Sequence, residues 1–243
     1  MAKFCTKCGK KLEDGKPCDC CKEEVKKEVV VESKTNGFDF NECVNSYIEM
    51  VKGIFAKPID TIKKFATSSN FVLGLIALAI NCIISGIFLY CIAKESINLI
   101  SSFTGGYSSL LTMSSSIDVP FMKTFLYGIL FMAVGFSVTA LMIYVMAGVI
   151  FKDKIDMKKA FSLVGVCSVF TTVTTVVSII LNYISIKLMM VVLLISGIFY
   201  LTHLYQGVQE TTEVDKNKLA YVFVPAISVA TFVVVYVLPK ILF

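Results

Sequence analysis

The chain has 243 residues, 56% of them hydrophobic, and its mean hydropathy of +0.77 is too high for an ordinary soluble domain. These values favour a polytopic membrane protein, whose backbone must be helical because unpaired peptide groups cannot face lipid. The net charge of +5 is too small to indicate a nucleic-acid partner. All 23 basic residues are lysine, which excludes arginine fingers and arginine clamps.

The first 21 residues contain five closely spaced cysteines and predict a zinc ribbon. A Cys-x-x-Cys pair followed by glycine forms a tight turn that directs two thiolates at one tetrahedral centre. A second pair repeats this spacing, and Asp14-Gly15 supplies a hairpin turn between the two pairs. The predicted metal ligands are Cys5, Cys8, Cys18 and Cys21, with Cys20 as an alternative fourth ligand.

Zinc bound by four thiolates has no open position for a catalytic water, so the predicted Zn2+ is structural. A segment of this length cannot build a hydrophobic core, and we expect the metal to fold it. A redox-active cysteine cluster is the alternative, although the cytosol keeps thiols reduced. The segment resembles the short zinc ribbons at the N-termini of many bacterial membrane proteins. This resemblance implies contacts with other macromolecules.

Residues 22–37 are rich in charge and predict a flexible linker. In residues 38–69, apolar side chains recur at intervals of three and four and predict two amphipathic helices that meet at Lys57-Pro58. The two predicted apolar stripes are Phe40, Val44, Tyr47, Ile48, Val51, Ile54 and Phe55, and then Ile59, Ile62, Phe65 and Ala66. These helices would lie on the membrane surface or pack under the bundle. The four lysines of this segment, Lys52, Lys57, Lys63 and Lys64, either contact anionic lipid headgroups or only set the topology.

Residues 70–243 contain five apolar segments, each long enough to cross a hydrocarbon core of about 30 Å as a helix. The predicted spans are residues 71–93, 124–151, 160–183, 188–206 and 219–238. Short links between successive spans favour antiparallel packing. The predicted fold class is therefore an all-α polytopic membrane protein with five transmembrane helices and a small N-terminal zinc-ribbon module.

Lysines near the predicted spans are unevenly divided between the two sides of the membrane. Ten lie on the side of the N-terminal segment. Only four lie on the opposite side, namely Lys94, Lys123, Lys187 and Lys240. The positive-inside rule therefore predicts a cytoplasmic N-terminus and an extracellular C-terminus in the plasma membrane.

The interiors of the predicted spans contain no Asp, Glu or Lys, which disfavours a charge-coupled pump. We interpret Asn81 as bonding to a neighbouring helix, and the hydroxyl groups of the third span as bonding back to their own preceding turns. Close helix packing is indicated by small residues of the second span, with Ala133, Ala140 and Ala147 on one face and Gly128 and Gly135 as two further small sites. His203, the only histidine, is expected to make an interfacial hydrogen bond. The sequence has no nucleophile and base set and no phosphate-binding loop, so we do not expect an enzyme.

Three short motifs make the chain similar to the Yip-one (Ypt/Rab-interacting protein) family of five-span membrane proteins, in its bacterial branch. They are Gly53-Ile54-Phe55-Ala56-Lys57-Pro58-Ile59-Asp60-Thr61, Lys159-Ala160-Phe161-Ser162-Leu163-Val164-Gly165 and Tyr205-Gln206-Gly207-Val208. The resemblance covers about residues 47–243 and implies a cytosolic N-terminal region and a helical membrane domain. Eukaryotic members bind small GTPases, but this chain lacks their Asp-Leu-Tyr-Gly-Pro motif, so GTPase binding is not carried over.

These observations together predict a non-enzymatic scaffold in the lipid bilayer, with the zinc ribbon as a cytosolic docking module for a protein partner. The hypothesis also allows a homo-oligomer. A small-solute transporter or channel is the alternative, with a path past Asn81, the hydroxyl groups of the third span and His203. A zinc or redox sensor that uses Cys20 or Cys21 as an exchangeable thiol is a further alternative.

Overall fold

The computed structural model describes residues 3–4, 11–12, 40–104 and 119–242, and it divides the chain into two units, residues 1–39 and 40–243. In the first unit, strand β1 (Lys3–Phe4) pairs antiparallel with strand β2 (Lys11–Leu12). Phe4 lies opposite Lys11 in this ladder. The predicted zinc ligands, the Asp14-Gly15 turn and the 22–37 linker lie outside the described residues.

Helices make up nearly all of the described part of the second unit. They are α1 (Phe40–Ala56), α2 (Pro58–Phe65), α3 (Phe71–Thr104), α4 (Phe121–Ile143), α5 (Met157–Ile184), α6 (Ile186–Thr211), α7 (Leu219–Phe232) and α8 (Leu238–Leu242). The π-helical segment Tyr144–Ile150 continues α4, and a second one, Val233–Val237, joins α7 to α8. Short 3₁₀ turns at Ser68–Asn70 and Lys216–Lys218 precede α3 and α7.

Among the described residues, five helical stretches are long and apolar enough to cross a membrane, which confirms the predicted number of spans. They are residues 68–95, 121–150, 157–184, 186–211 and 216–240. Two helices extend beyond the predicted ends of their spans: α3 continues past Ala93 to Thr104, and α6 does not end at Gln206 but continues to Thr211. Its last, more polar turn remains helical where α6 packs against α2.

Helix α5 lies at the centre of the bundle and packs against α3, α4 and α6. Glycines permit the closest approaches between helices, as expected in lipid. A Cβ added to Gly165 of α5 would lie 2.8 Å from the Cα of Gly74 in α3. A Cβ added to Gly128 of α4 would lie 2.7 Å from the Cα of Gly86 in α3. The glycine contacts therefore set the separation of α3 from both of its main neighbours.

Small residues along α4 also take part in packing, as the sequence indicates. Ala140 and Ala147 are fully buried, and Ala133 is half-buried against the core. A Cβ added to Gly135 would lie 3.3 Å from a side-chain methyl of Val234, in the π-helical segment after α7. The interpretation of this face as a packing surface is confirmed.

Helices α1 and α2 pack under the bundle, mainly against α5 and α6. Pro58 occupies the first turn of α2, where its missing N–H has no intrahelical partner to lose. Met50 and Ile54 of α1 and Ile62 of α2 are buried in the common core. Both predicted stripes extend beyond the contact with the spans. Among the stripe residues whose burial is described, Val44, Ile48, Phe55 and Ile59 remain exposed.

Candidate functional site

Asn81 is the centre of a polar cluster between α3 and α5. The residue is 1% exposed and lies near the middle of its span. Its Nδ2 lies 2.8 Å from Thr171 Oγ1, 2.9 Å from Thr172 Oγ1 and 3.1 Å from the carbonyl oxygen of Ser168. Its Oδ1 accepts a hydrogen bond from Ser85 at 3.3 Å. The interpretation that Asn81 bonds to a neighbouring helix is confirmed.

The hydroxyl groups of α5 mostly donate to their own preceding turns, as the sequence analysis expects. Thr171 and Thr172 both donate to the carbonyl oxygen of Ser168, and Ser178 donates to that of Thr174. Thr174 also lies 2.5 Å from the hydroxyl of Ser196 in α6. The sequence analysis did not identify Ser196, although a serine inside an apolar span is a recognisable signal for such a contact.

His203 does not lie in the surroundings that its position in the sequence suggests. Its ring is 5% exposed and meets the rings of Phe170 and Phe199 at centroid distances of 5.3 and 5.9 Å. Phe55 of α1 covers Phe170 at 5.0 Å, so α1 shields this end of α6 from solvent. None of the described residues offers a hydrogen-bond partner to Nδ1, and the expected interfacial hydrogen bond stays a prediction.

One end of the bundle carries a polar assembly that we name the basal platform. It consists of α1, α2, residues 151–156 and residues 210–218. Within it, Asp153 accepts a hydrogen bond from the backbone N–H of Glu213 at 2.9 Å, and Lys154 lies 3.6 Å from the Glu213 carboxylate. These contacts join the loop before α5 to the loop after α6.

Asp156 connects α5 to the segment that precedes α3. As the N-cap of α5, its carboxylate accepts a hydrogen bond from the backbone N–H of Lys159 at 2.9 Å. It also accepts one from the hydroxyl of Ser68 at 2.7 Å. The hydrogen bond from Ser68, together with that from Lys159, lowers the pKa of the Asp156 carboxyl below its ordinary value. The carboxylate form is therefore the one that this contact stabilises.

Two lysines of the platform, and Lys159 at the start of α5, bind neighbouring groups of the protein. Lys63 forms an ion pair with Glu210 at 2.8 Å, and this hydrogen bond raises the pKa of Lys63. Lys64 pairs with Glu49, which holds α2 against α1. The Nζ of Lys159 donates to the carbonyl oxygen of Thr211, the last residue of α6, at 2.6 Å. Lys63 and Lys64 therefore have a local structural role beyond the topology or lipid roles considered from sequence.

The motifs that carry the family resemblance meet at or near this platform. Gly53 allows α1 to approach Thr61 of α2, where a Cβ would overlap the threonine hydroxyl. Gly165 is the point of closest approach between α5 and α3. A Cβ at Gly207 would overlap a side-chain methyl of Leu163 and lie 3.3 Å from a methyl of Ile62. The three motifs thus serve contacts of α1 with α2, of α5 with α3, and of α6 with α5 and α2.

The sequence-predicted metal ligands cannot be placed, because they lie outside the described residues. These are Cys5, Cys8, Cys18, Cys20 and Cys21. Within residues 40–104 and 119–242, and in the two short strands, no group of three or more His, Cys, Asp or Glu side chains could hold a metal ion. The zinc site of the first unit remains a prediction.

Five apolar spans, a polar cluster satisfied between helices and a basal platform define a polytopic helical membrane protein. The sequence model of the Yip1 domain matches residues 52–238. The chain therefore belongs to the Yip1 family. Neither the comparison with curated proteins nor the comparison with solved structures gives a significant match.

Proposed function

We propose that this Yip1-family protein is a non-enzymatic membrane scaffold that docks a cytosolic protein through an N-terminal zinc ribbon. The observation that carries the proposal is the basal platform, which joins α1 and α2 to the spans by buried side chains, ion pairs and a shared N-cap. A segment attached to α1 is thereby attached to a rigid base. Asn81, a candidate for a solute path, is engaged in contacts between helices, and the hydroxyl groups of Thr171 and Thr172 bond to Asn81 and to their own helix.

The zinc ribbon is supported by the cysteine spacing and by the pairing of β1 with β2. The two strands flank Cys5 and Cys8 in the sequence, and a hairpin at that point suits a zinc knuckle. A second pair, Cys18 and Cys21, would complete the site, with Cys20 as the alternative ligand. The metal would supply folding energy and no catalytic chemistry, because four thiolates close its coordination sphere.

The orientation follows from the lysines around the spans. We assign the platform to the cytoplasm because ten of the lysines near the spans lie at its end of the bundle and four lie at the other. The membrane would be the plasma membrane of a bacterial cell. Modification of Lys240 by an impermeant amine reagent from outside intact cells is the expected result, and modification from the cytoplasmic side alone would reverse the assignment.

Zinc binding is tested on the purified full-length protein in detergent. We expect about one zinc per chain by elemental analysis, which is lost in the double variant Cys5→Ser, Cys8→Ser. The matched control is Cys43→Ser, Cys82→Ser, which removes two thiols that lie in α1 and α3. Equal zinc content in all three proteins would refute the ribbon.

The docking role is tested by crosslinking in native membranes, followed by purification of the same three proteins at matched membrane levels. If the proposal is right, the wild type and the Cys43→Ser, Cys82→Ser control both capture the same cytosolic protein. The Cys5→Ser, Cys8→Ser variant does not capture it. An unchanged set of captured proteins would show that the head is dispensable for docking, and the proposal would be wrong.

A further inference from the structure

A cavity of about 470 Å³ opens between α3, α4, α5 and α6, within the membrane-spanning part of the bundle. It exists because α4 and α6 both pack against α5 but scarcely touch each other along their described lengths. Its walls include Ser85 of α3, Gly128 of α4, Thr171 of α5 and Gly197 of α6. A volume of this size is typical of sites that bind small organic molecules.

The lining of the cavity is uncharged and mostly apolar, with phenylalanine, leucine and methionine side chains on its walls. A charged molecule would lose its hydration there without gaining a counter-ion. Five hydroxyl side chains also line the cavity, and they can hydrogen-bond one polar group of a ligand. They belong to Ser85, Thr171, Thr175, Ser196 and Tyr200. The lining therefore favours an uncharged apolar molecule with a polar end.

The hydrogen-bond partners of these hydroxyls decide which polar end fits. Ser85 donates its proton to Asn81, and Thr171 donates to the carbonyl oxygen of Ser168. Ser196 shares a hydrogen bond with Thr174, in which either hydroxyl can donate. The buried hydroxyl of Tyr200 has no hydrogen-bond partner among the described residues. The cavity thus presents acceptor oxygens on Ser85 and Thr171 and an unpaired hydroxyl donor on Tyr200, so a ligand hydroxyl, which both donates and accepts, fits better than a group that only accepts.

Gly197 shows that the space in the cavity is open. No atom lies within 4 Å of the position that a Cβ would take at Gly197, whereas a Cβ at Gly128 would press against the backbone of α3. A larger side chain at Gly197 can therefore enter the cavity without displacing a helix. The neighbouring Ile198 is 64% exposed on the outside of α6 and supplies a control position.

We propose that this cavity binds an uncharged long-chain alcohol drawn from the membrane. The alcohol hydroxyl donates to Ser85 Oγ or to the other lining hydroxyl oxygens, and the hydrocarbon chain lies along the apolar walls. This site is independent of the proposed docking role of the N-terminal head. Its occupant enters from the lipid, because the cavity lies at membrane depth.

The first test is photolabelling of the purified full-length protein in lipid nanodiscs with a diazirine-bearing hexadecanol. Unlabelled hexadecanol is expected to compete about fivefold better than the methyl ketone 2-heptadecanone, which accepts but cannot donate a hydrogen bond, because the alcohol makes one added hydrogen bond. Hexadecane, which can make no hydrogen bond, is expected to compete less well than either. Palmitate, which carries a charge, is expected to compete no better than hexadecane. Equal competition by the alcohol and the alkane would reveal general lipid contact and overturn the proposal.

The second test uses variants of the lining. Gly197→Leu is expected to reduce labelling at least about fivefold, while Ile198→Phe leaves it within about twofold. Ser85→Ala is expected to lose the preference for the alcohol over the ketone. Its control is Ser178→Ala, which removes a buried hydroxyl that does not line the cavity. If Gly197→Leu fails to fold, the pair of serine variants decides the question alone. An unchanged preference for the alcohol over the ketone in Ser85→Ala would assign the cavity to other contacts. So would a Gly197→Leu variant that changes its oligomeric state and shows no alcohol selectivity.

Discussion

Gly165→Ala is the change expected to weaken the bundle most for its size. An added Cβ would overlap the carbonyl oxygen of Gly74 and lie 2.8 Å from its Cα, whereas ordinary contact begins near 3.4 Å. The obstacle is the backbone of α3, which cannot rotate away as a side chain could. Helices α3 and α5 must therefore separate by at least about 0.6 Å along their closest contact.

Overpacking a protein core lowers its free energy of unfolding by about 1–3 kcal/mol. We expect Gly165→Ala to lower the free energy of unfolding by about 2–3 kcal/mol, because the contacts of the central helix with α3 are loosened together. The assay is unfolding of the purified protein by SDS in mixed micelles, followed by circular dichroism. Gly197→Ala is the matched control, since nothing lies within 4 Å of its Cβ position. Its effect is expected to stay within about 0.5 kcal/mol.

The double variant Gly74→Ala, Gly165→Ala provides a further check. A Cβ at Gly74 would lie 2.7 Å from the Cα of Ser162, so both substitutions separate the same two helices. Their costs are expected to be less than additive, because one displacement accommodates both. If Gly165→Ala and Gly197→Ala unfold at the same SDS fraction, the glycine contact does not determine the spacing of α3 and α5.

Three other perturbations have defined outcomes. Asn81→Leu is expected to lower the free energy of unfolding by about 1 kcal/mol in the same SDS assay. Hydrogen bonds between membrane helices are individually weak, and the threonine partners of Asn81 keep their backbone bonds. A loss of several kcal/mol would contradict this. Asp156 has a lowered pKa when folded, so its stabilising contribution is present above the ordinary carboxyl pKa of about 3.9 and is lost as the pH falls through the lower folded value. Ser68→Ala should reduce this acid sensitivity, and an identical pH profile would exclude the contact as its source. A strong zinc chelator is expected to abolish amide protection in residues 1–21 and to leave α5 protected; retained protection in the head would refute metal-dependent folding.

The number of spans and their approximate positions follow from the sequence, because span length and hydropathy are local properties. The same holds for the start of α2 at Pro58, and for the bonding of Asn81 to a neighbouring helix, since a buried amide in lipid must find a hydrogen bond there. Helix ends are less local. Helix α6 extends to Thr211 because contacts from α2 support its polar last turn.

Features that depend on distant parts of the chain were not predictable from the pattern. Ser68 and Asp156 are 88 positions apart, and no periodicity relates them. The burial of His203 requires α1 to fold back and place Phe55 over Phe170. The same folding back decides which side of the wide apolar stripe of α1 is buried. In each case the missing information is the relative placement of helices, which hydropathy does not contain.

The distribution of the family motifs bears on where function resides in this protein. Gly53, Gly165 and Gly207 each lie where a side chain would collide with a neighbouring helix, so they account for a common base of α1, α2 and the spans. Residues that maintain this base need no partner or ligand to explain them. The N-terminal head lies outside the Yip1 match, and the lining of the cavity between α4 and α6 lies apart from the platform. We therefore expect substitutions in the head and the cavity to change the function of this protein. Conservative changes elsewhere on the spans are expected to leave that function unchanged.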